Sequence, residues 1–323
     1  MHPFEYANPT SVKDAVAMLG SSWADAKILA GGTDQISLMK DYLHTPKRVV
    51  SVRGIKELGG ISQSGAGLRI GATVTSDELM ENVLVRRMAP ALAAAALGIG
   101  SPQLRNMGTV GGDLCQRPRC WYFRNGFGLL AMKDGKDLVA DGQNEFHAIF
   151  PKGPAKFVSA SSYAPVLAAL GATATIVGPS GSRKVSVADF FVAPSTNDQR
   201  EIDLKPNEIL TEVVIPSQGM KSGLYEVRQR EGMDWPLVAA AVALKMSGGS
   251  VQSASIVLGH VGPTPVKADG AASMLAGKSI SEDVAAQAGA AAAQGAAPLS
   301  GNAYKVDLVK VAVKRALLAA AKA

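Results

Sequence analysis

The sequence contains little cysteine, few aromatic residues and no long apolar run, and each shortage excludes a class of protein. Cys115 and Cys120 are the only cysteines in 323 residues, too few for a disulfide framework and typical of a reducing compartment. Aromatic residues make up 5%, which argues against a base-stacking surface for nucleic acid. The longest apolar run, Leu237 to Leu244, has eight residues, whereas a membrane helix needs roughly 20. We therefore expect no nucleic-acid partner and no membrane span.

Charge is spread along the chain rather than gathered in blocks. The 33 Lys and Arg residues exceed the 27 Asp and Glu residues, giving a net charge of +6. No run of like charges marks a nucleic-acid tail. A diffuse positive balance suits an anionic cofactor or an acidic partner.

Length and patterning predict two domains or more, in which short strands alternate with short helices. A chain of 323 residues is longer than one hydrophobic core usually supports. Its first two-thirds alternates short strands with short helices, for example a strand at 27–30 and helices at 76–81 and 90–97. Composition changes at residues 217–223, where we place the boundary.

The second domain is predicted to contain strands followed by helices. Its last helix is expected over about residues 306–321, because Val309, Val313 and Leu317 recur at the spacing of one helix face.

The first candidate site is the segment Ile28-Leu-Ala-Gly-Gly-Thr-Asp34, in which a strand runs directly into two glycines. Successive glycines leave backbone N–H groups open to a ligand, since no Cβ holds it away, and such a nest of amides suits a diphosphate. A Gly-Gly pair is also common in plain turns, so this segment alone is compatible with either interpretation.

A second glycine-rich segment, Leu104-Arg-Asn-Met-Gly-Thr-Val-Gly-Gly-Asp113, carries a cation at Arg105. Two anion-binding loops in one domain suit a diphosphate better than one does, although a second irregular loop would also explain the pattern. Neither segment contains the G-x-G-x-x-G of a Rossmann fold or the Gly-Lys-Ser/Thr of a P-loop.

The cysteines predict neither a metal site nor a nucleophile. Cys115 and Cys120 have C-x4-C spacing, whereas a structural zinc site takes four ligands, usually in close pairs. None of the four histidines is paired at i+3 to i+5, and no histidine or acid is evidently placed beside either cysteine. We therefore expect no metal and no catalytic residue here, and interpret both cysteines as packing residues or as neighbours of a ligand.

The motifs Ala30-Gly-Gly-Thr-Asp34 and Arg105-Asn-Met-Gly-Thr-Val-Gly-Gly112 together resemble those of the FAD-binding (medium) subunits of molybdenum hydroxylases, the family of xanthine dehydrogenase, aldehyde oxidoreductase and carbon monoxide dehydrogenase. The resemblance covers essentially the whole chain. It continues through Leu68-Arg-Ile-Gly-Ala72, Val187-Ala-Asp-Phe-Phe191 and Glu208-Ile-Leu-Thr-Glu212.

The resemblance implies an FAD-binding domain of two α+β subdomains at residues 1–218. It implies a smaller C-terminal flavoprotein domain at residues 223–323, with a three-stranded antiparallel sheet packed on a helical bundle. Residues 28–34 would wrap the FAD diphosphate, and the second motif would hold the cofactor from its other side. The cofactor-binding residues expected on this basis are Ile28, Leu29, Ala30, Gly31, Gly32, Thr33, Asp34, Gly71, Ala72, Arg105, Asn106, Gly108, Thr109, Gly111, Gly112 and Asp113.

The resemblance also implies an electron-transfer function as an oxidoreductase subunit of a heterotrimer. A molybdopterin-binding large subunit would pass electrons to a [2Fe-2S] small subunit. FAD would take them from the small subunit and pass them to an external acceptor. The organic substrate would bind to another chain.

The segment at about 120–153 resembles an insert found in the branch of 4-hydroxybenzoyl-CoA reductase and certain periplasmic aldehyde oxidoreductases. It follows Gln116-Arg-Pro-Arg-Cys120, and in that branch it holds a [4Fe-4S] cluster on four cysteines. Here no cysteine follows Cys120, and the other ligand positions would lie near Gly128, Leu138 and Ala155. Because a cuboidal cluster needs four thiolates, we expect an ordered loop, held by polar and backbone contacts, without a cluster.

One further departure concerns a cofactor contact. Relatives often read His-Pro-Ser-Asp where this chain reads Ser159-Ala-Ser-Ser162. An acidic residue expected near the cofactor is therefore missing from this segment.

Two other functions are compatible with the sequence. The first is a stand-alone FAD-dependent oxidoreductase, and the second is a flavin-less scaffold subunit that only bridges two partners. The N-terminus resembles no signal peptide, so we expect a cytoplasmic protein. The alternative is a periplasmic protein exported, already folded, on a partner's twin-arginine signal.

Overall fold

A computed structural model describes residues 1–217, 219–230 and 233–323. The strands, in chain order, are β1 (Glu5–Ala7), β2 (Ala26–Leu29), β3 (Arg48–Ser51), β4 (Ile61–Ser64), β5 (Gly67–Gly71), β6 (Met132–Lys133), β7 (Lys136–Asp137), β8 (Thr173–Gly178), β9 (Gly181–Ser186), β10 (Ile209–Ile215), β11 (Lys221–Val227), β12 (Val238–Ser247), β13 (Ser250–Gly259) and β14 (Val266–Lys267). The helices are α1 (Val12–Met18), α2 (Gln35–Lys40), α3 (Ser76–Glu81), α4 (Val83–Met88), α5 (Pro90–Leu97), α6 (Pro102–Met107), α7 (Val110–Cys115), α8 (Trp121–Arg124), α9 (Tyr163–Ala169), α10 (Val187–Phe190), α11 (Asp269–Ser273), α12 (Glu282–Ala292) and α13 (Tyr304–Lys322).

The first subdomain is built on a three-stranded parallel sheet of order β1-β3-β2. Helix α1 begins after Ser11, whose hydroxyl accepts a hydrogen bond from the N–H of Asp14 at 3.1 Å. The strand predicted at 27–30 is β2, and it ends directly before the first glycine loop. The loop leads directly into α2.

The second subdomain is a five-stranded antiparallel sheet of order β4-β5-β10-β8-β9. Helices α3, α5, α7 and α9 contribute buried side chains to the same hydrophobic core as this sheet. The helices predicted at 76–81 and 90–97 are confirmed as α3 and α5. Proline at the first position of α5 suits a helix start, because its missing N–H would have no partner there.

The C-terminal part is an antiparallel sheet of order β11-β12-β13-β14 packed on helices. The predicted three long strands are present, and the two-residue β14 adds a short fourth strand. Val309, Val313 and Leu317 of α13 are fully buried, as their spacing predicted. The mixed α and β architecture expected from the sequence is therefore confirmed.

The segment 120–153 contains α8 and the β6–β7 hairpin. Phe123, Leu129 and Val139 are buried, so apolar packing holds this segment in addition to the expected polar and backbone contacts. Across the described ranges, every helix is too short or too polar to cross a membrane.

Candidate functional site

The first glycine loop, residues 30–34, joins β2 to α2. A Cβ on Gly31 would lie 1.6 Å from the carbonyl oxygen of Met107, so only glycine allows the two glycine loops to approach this closely. Gly32 has a φ of +77°, a conformation that glycine adopts at low cost. The N–H groups of residues 31–34 donate no hydrogen bond to the described part of the chain. They therefore form an open nest of the kind that binds an anion.

The second glycine loop differs, because most of its amides are already used. The N–H groups of Val110 and Gly111 donate to carbonyl oxygens just after β5, at 2.9 and 2.8 Å. The N–H of Gly112 donates to the Thr109 hydroxyl at 3.1 Å, which caps α7. The N–H of Thr109 donates no hydrogen bond to the described part of the chain, so the second loop offers fewer free amides than the first. That both loops bind a diphosphate stays a prediction.

Two cavities lie on either side of these loops. The inner cavity, of about 150 Å³, runs between the two subdomains and is lined by Trp23 and Leu210 among others. The cleft cavity, of about 220 Å³, lies between the FAD-binding domain and the C-terminal domain, where Arg228 and Trp235 form one wall. Residues of both loops line both cavities, so an extended ligand that crosses the loops would occupy both spaces. The shared loop residues are Thr33, Asp34, Thr109 and Gly112.

Most of the predicted cofactor-binding residues line these spaces. Those that line the inner cavity are Ile28, Ala30, Gly31, Gly32, Thr33, Asp34, Ala72, Thr109, Gly111 and Gly112. Gly108 and Asp113 line the cleft cavity. Leu29, Gly71, Arg105 and Asn106 line neither.

The side chains of the last two residues are bonded locally. Arg105 donates to the carbonyl of Ile99, and Asn106 donates to the carbonyl of Pro102 within its own helix. The Nε of Arg105 is nevertheless buried without a hydrogen bond, and a direct cofactor contact of either residue stays a prediction.

The Asp34 carboxylate organises the entrance to the cleft. It accepts hydrogen bonds from the Arg117 N–H at 2.9 Å, from Arg119 at 2.9 Å and from Arg124 at 2.7 Å. The guanidinium of Arg119 also lies over the ring of Trp235, 5.2 Å from its centroid. Asp34 therefore links the first glycine loop to the C-terminal domain through one arginine.

Asp113, one of the predicted cofactor-binding residues, lies beside residues 161–163. Its carboxylate accepts hydrogen bonds from the N–H groups of Ser162 and Tyr163 at 3.2 and 3.1 Å and from the Ser161 hydroxyl. Burial raises the pKa of Asp113 to about 6, although these three donors oppose the rise. The carboxylate lies at the start of α9, and Asp113 lines the cleft cavity.

The inner cavity is lined by cationic side chains that the sequence analysis did not predict as site residues. Lys27 and Arg200 line it, and both lie over the ring of Trp23, at 4.7 and 4.1 Å from a ring centroid. Glu201, 4% exposed, is the carboxylate beside them. It pairs with the Nε of Arg117 and lies 3.5 Å from the Nε of Arg200.

Cys120 does have a histidine beside it, contrary to the expectation from the sequence. Its Sγ lies 3.2 Å from the Nε2 of His147, which is 27 residues further along the chain. Burial raises the pKa of the thiol and lowers the pKa of His147 to about 4. The pair is therefore a neutral thiol and a neutral imidazole, which lacks the thiolate that nucleophilic catalysis requires. Within the described ranges no three His, Cys, Asp or Glu side chains are grouped as metal ligands.

The chain matches two known families. The family described as "FAD binding domain in molybdopterin dehydrogenase" matches residues 2–218, and the one described as "CO dehydrogenase flavoprotein C-terminal domain" matches residues 223–320. The chain belongs to the FAD-binding molybdopterin dehydrogenase family. The family predicted from the two glycine motifs is therefore confirmed.

Individual members of the family match along nearly the whole chain. The carbon monoxide dehydrogenase medium chain of Hydrogenophaga pseudoflava is 32% identical over 98% of this chain and 96% of its own length. The aldehyde oxidoreductase FAD-binding subunit of Escherichia coli K12 is 31% identical over 85% of this chain and 86% of its own length. The solved structure of quinoline 2-oxidoreductase from Pseudomonas putida 86 superposes with a TM-score of 0.78 at 29% identity, covering 99% of this chain and 98% of that one. These relatives are oxidoreductase subunits, whereas the 4-hydroxybenzoyl-CoA-reductase-like insert stays a prediction.

The residues of the site fit the cofactor that the family name states. An open nest of amides faces the inner cavity, the glycines are required by close backbone approach, and cations line the same space. The sequence offered a weak signal for the missed cations, since Lys27 stands in the strand that leads into the first loop. Arg200 lies in a loop more than 160 residues away, and nothing in its local pattern indicates the site.

Proposed function

We propose that this chain binds one FAD non-covalently and transfers electrons through it as the medium subunit of a molybdenum hydroxylase complex. The observation that carries the proposal is the loop of residues 31–34, whose successive N–H groups are free of acceptors in the described chain and which lines both cavities. An FAD diphosphate would complete those hydrogen bonds. Bound FAD supplies the capacity to accept and release electrons, while the protein supplies binding and orientation.

Different residues of the chain would hold different parts of the cofactor. Residues 30–34 would hold the diphosphate, and Thr109 and Gly112 would hold the cofactor from the other side of the loops. The buried carboxylate of Asp113 and the ring of Trp235 would line the cleft on the side of the C-terminal domain.

We further propose that electrons arrive from a [2Fe-2S] small subunit, supplied by a molybdopterin-binding large subunit, and leave to an external acceptor. The names of the relatives support partner chains, because they are a "medium chain" and an "FAD-binding subunit" of oxidoreductases. The acceptor and the organic substrate are left open by this proposal.

The test is to express the chain alone and together with its genomic neighbours. We expect about one FAD per purified chain, released by acid without a covalent link, and co-purification of a molybdenum-containing subunit. A chain that purifies folded and colourless, and takes up no added FAD, would instead be the flavin-less scaffold. A flavoprotein that turns over a substrate without any partner would be the stand-alone oxidoreductase.

We also infer that the insert holds no [4Fe-4S] cluster. Cys120 is the only thiol within residues 120–153, and carboxylate oxygens are poor ligands for iron–sulfur chemistry. Iron and acid-labile sulfide in the isolated chain should both be near zero. About four irons per chain, with a broad visible absorbance beside that of flavin, would show this inference to be wrong.

A further inference from the structure

The inner cavity holds more positive than negative charge. Lys27, Arg117 and Arg200 face one another there, and the carboxylate among them is Glu201. Glu201 forms ion pairs with Arg117 and Arg200, although neither of its oxygens makes a hydrogen bond with the described residues. The other carboxylate that lines this cavity, Asp34, is occupied by Arg119 and Arg124.

Lys27 is left without a partner. Its side chain is 9% exposed, and its ammonium makes no hydrogen bond or ion pair with the described residues. Its neighbours are the Trp23 ring and the two arginines. The Nε of Arg200 is likewise buried without a hydrogen bond, 3.5 Å from Glu201. One carboxylate therefore faces three cations, and burying such an excess of positive charge costs free energy, so the cluster favours binding of an anion.

We propose that Lys27 and Arg200 bind the phosphate-bearing part of a dinucleotide in the inner cavity. The proposal rests on the proposed function, since the ligand is the FAD that the first glycine loop would hold. That loop and both cations line the same cavity. Neutral amide donors alone would leave the two negative charges of a diphosphate uncompensated, and the two cations supply the compensation.

His44 also lines the inner cavity, but it does not supply a positive charge for the phosphate groups. The Nδ1 of His44 lies 3.0 Å from the Gln35 side-chain oxygen, and its Nε2 lies 3.1 Å from a nitrogen of Arg117. Because an arginine only donates, Nε2 of His44 accepts and Nδ1 carries the proton. Burial and the nearby cations lower the pKa of His44 to about 2, so the ring is neutral and fixed.

Binding of the anion should be linked to a proton. Burial, then Arg200 and Arg117, lower the pKa of Lys27 to about 7, while Glu201 opposes the shift. At pH 8 most of the free protein therefore carries a neutral amine at this position. A phosphate beside it favours the ammonium, so FAD binding at pH 8 should take up about one proton.

The experiment compares wild type, Lys27→Met and Arg200→Gln, with Lys245→Met as the matched control at an exposed lysine. Flavin-free protein is titrated calorimetrically with FAD at pH 8 in two buffers of different ionisation enthalpy, and then with riboflavin and with inorganic phosphate. We expect FAD affinity to fall about 10- to 100-fold in each cavity variant and proton uptake to vanish in Lys27→Met. Riboflavin, which has no phosphate, should bind equally to all four proteins.

Stability of the flavin-free protein separates a binding residue from a structural one. At pH 6, below the lowered pKa of Lys27, Lys27→Met removes a buried charge from a cluster with excess positive charge, so its melting temperature should be unchanged or higher, whereas loss of a structural lysine would lower it. FAD binding to Lys27→Met with wild-type affinity and the same proton uptake would overturn this inference alone. Binding of inorganic phosphate by wild type, without any binding of FAD, would overturn it in favour of a free-anion site. Absence of all binding by wild type would overturn the proposed function as well.

Discussion

Gly31→Val is expected to weaken FAD binding by about 100-fold or more. The Cβ of any residue at this position would fall 1.6 Å from the Met107 carbonyl oxygen and 2.5 Å from its carbon. Both neighbours are backbone atoms, so no rotamer change can relieve the overlap. The two glycine loops must separate instead, and the amide nest and its support move apart. Equilibrium titration of the flavin-free variant with FAD, followed by flavin fluorescence, measures the loss.

A matched control is available at Gly65, in the turn between β4 and β5. A Cβ there would meet no atom within 4 Å, so Gly65→Val should bind FAD as wild type does. Gly31→Ala should lie near Gly31→Val, because the clash involves the Cβ itself. If Gly31→Val folds with a wild-type melting temperature and binds FAD with unchanged affinity, the contact between the loops is not what forms the site.

The turn at the first glycine loop was predictable from the sequence, whereas the contact that requires glycine at position 31 comes from the distant Met107. A strand that ends in Gly31-Gly32 indicates a sharp turn within a few residues. Helix boundaries followed for the same reason, as at Pro90, which starts α5, and Gly98, which ends it. Signals of this kind are encoded in neighbouring residues, so they can be identified before the chain is folded.

The chemistry around the site was less predictable because it depends on distant segments. Arg200 meets Lys27 only when the loop before β10 folds back over β2, and no periodicity links the two positions. His147 reaches Cys120 in the same way. The carboxylate of Asp113 likewise reaches the N–H of Ser162 from another helix, 49 residues away along the chain.

The second large effect is expected at Lys305, which joins the insert to the C-terminal sheet and helices. This lysine is 1% exposed. Its ammonium donates to the carbonyl oxygens of Phe146 and His147 at 3.2 Å each and of His260 at 2.8 Å. An ammonium has three N–H donors, so the three acceptors match it fully. The lysine therefore fixes residues 146–147 beside α8, against the end of β13.

Lys305→Met should lower the free energy of unfolding by about 2–4 kcal/mol, because it leaves the carbonyl oxygens of Phe146 and His260 without a donor, while that of His147 keeps Asn302. The exposed Lys310→Met on the same helix breaks only an ion pair with Asp307 and should cost less than about 0.5 kcal/mol. Urea denaturation followed by tryptophan fluorescence suits the comparison, since the ring of Trp121 lies 5.6 Å from that of Phe146. Loss of this tie should also free His147 from the Cys120 thiol, so a disulfide reagent should react faster with Cys120 in Lys305→Met. Equal stability and equal thiol reactivity in the two variants would mean that the insert is held by its apolar contacts alone.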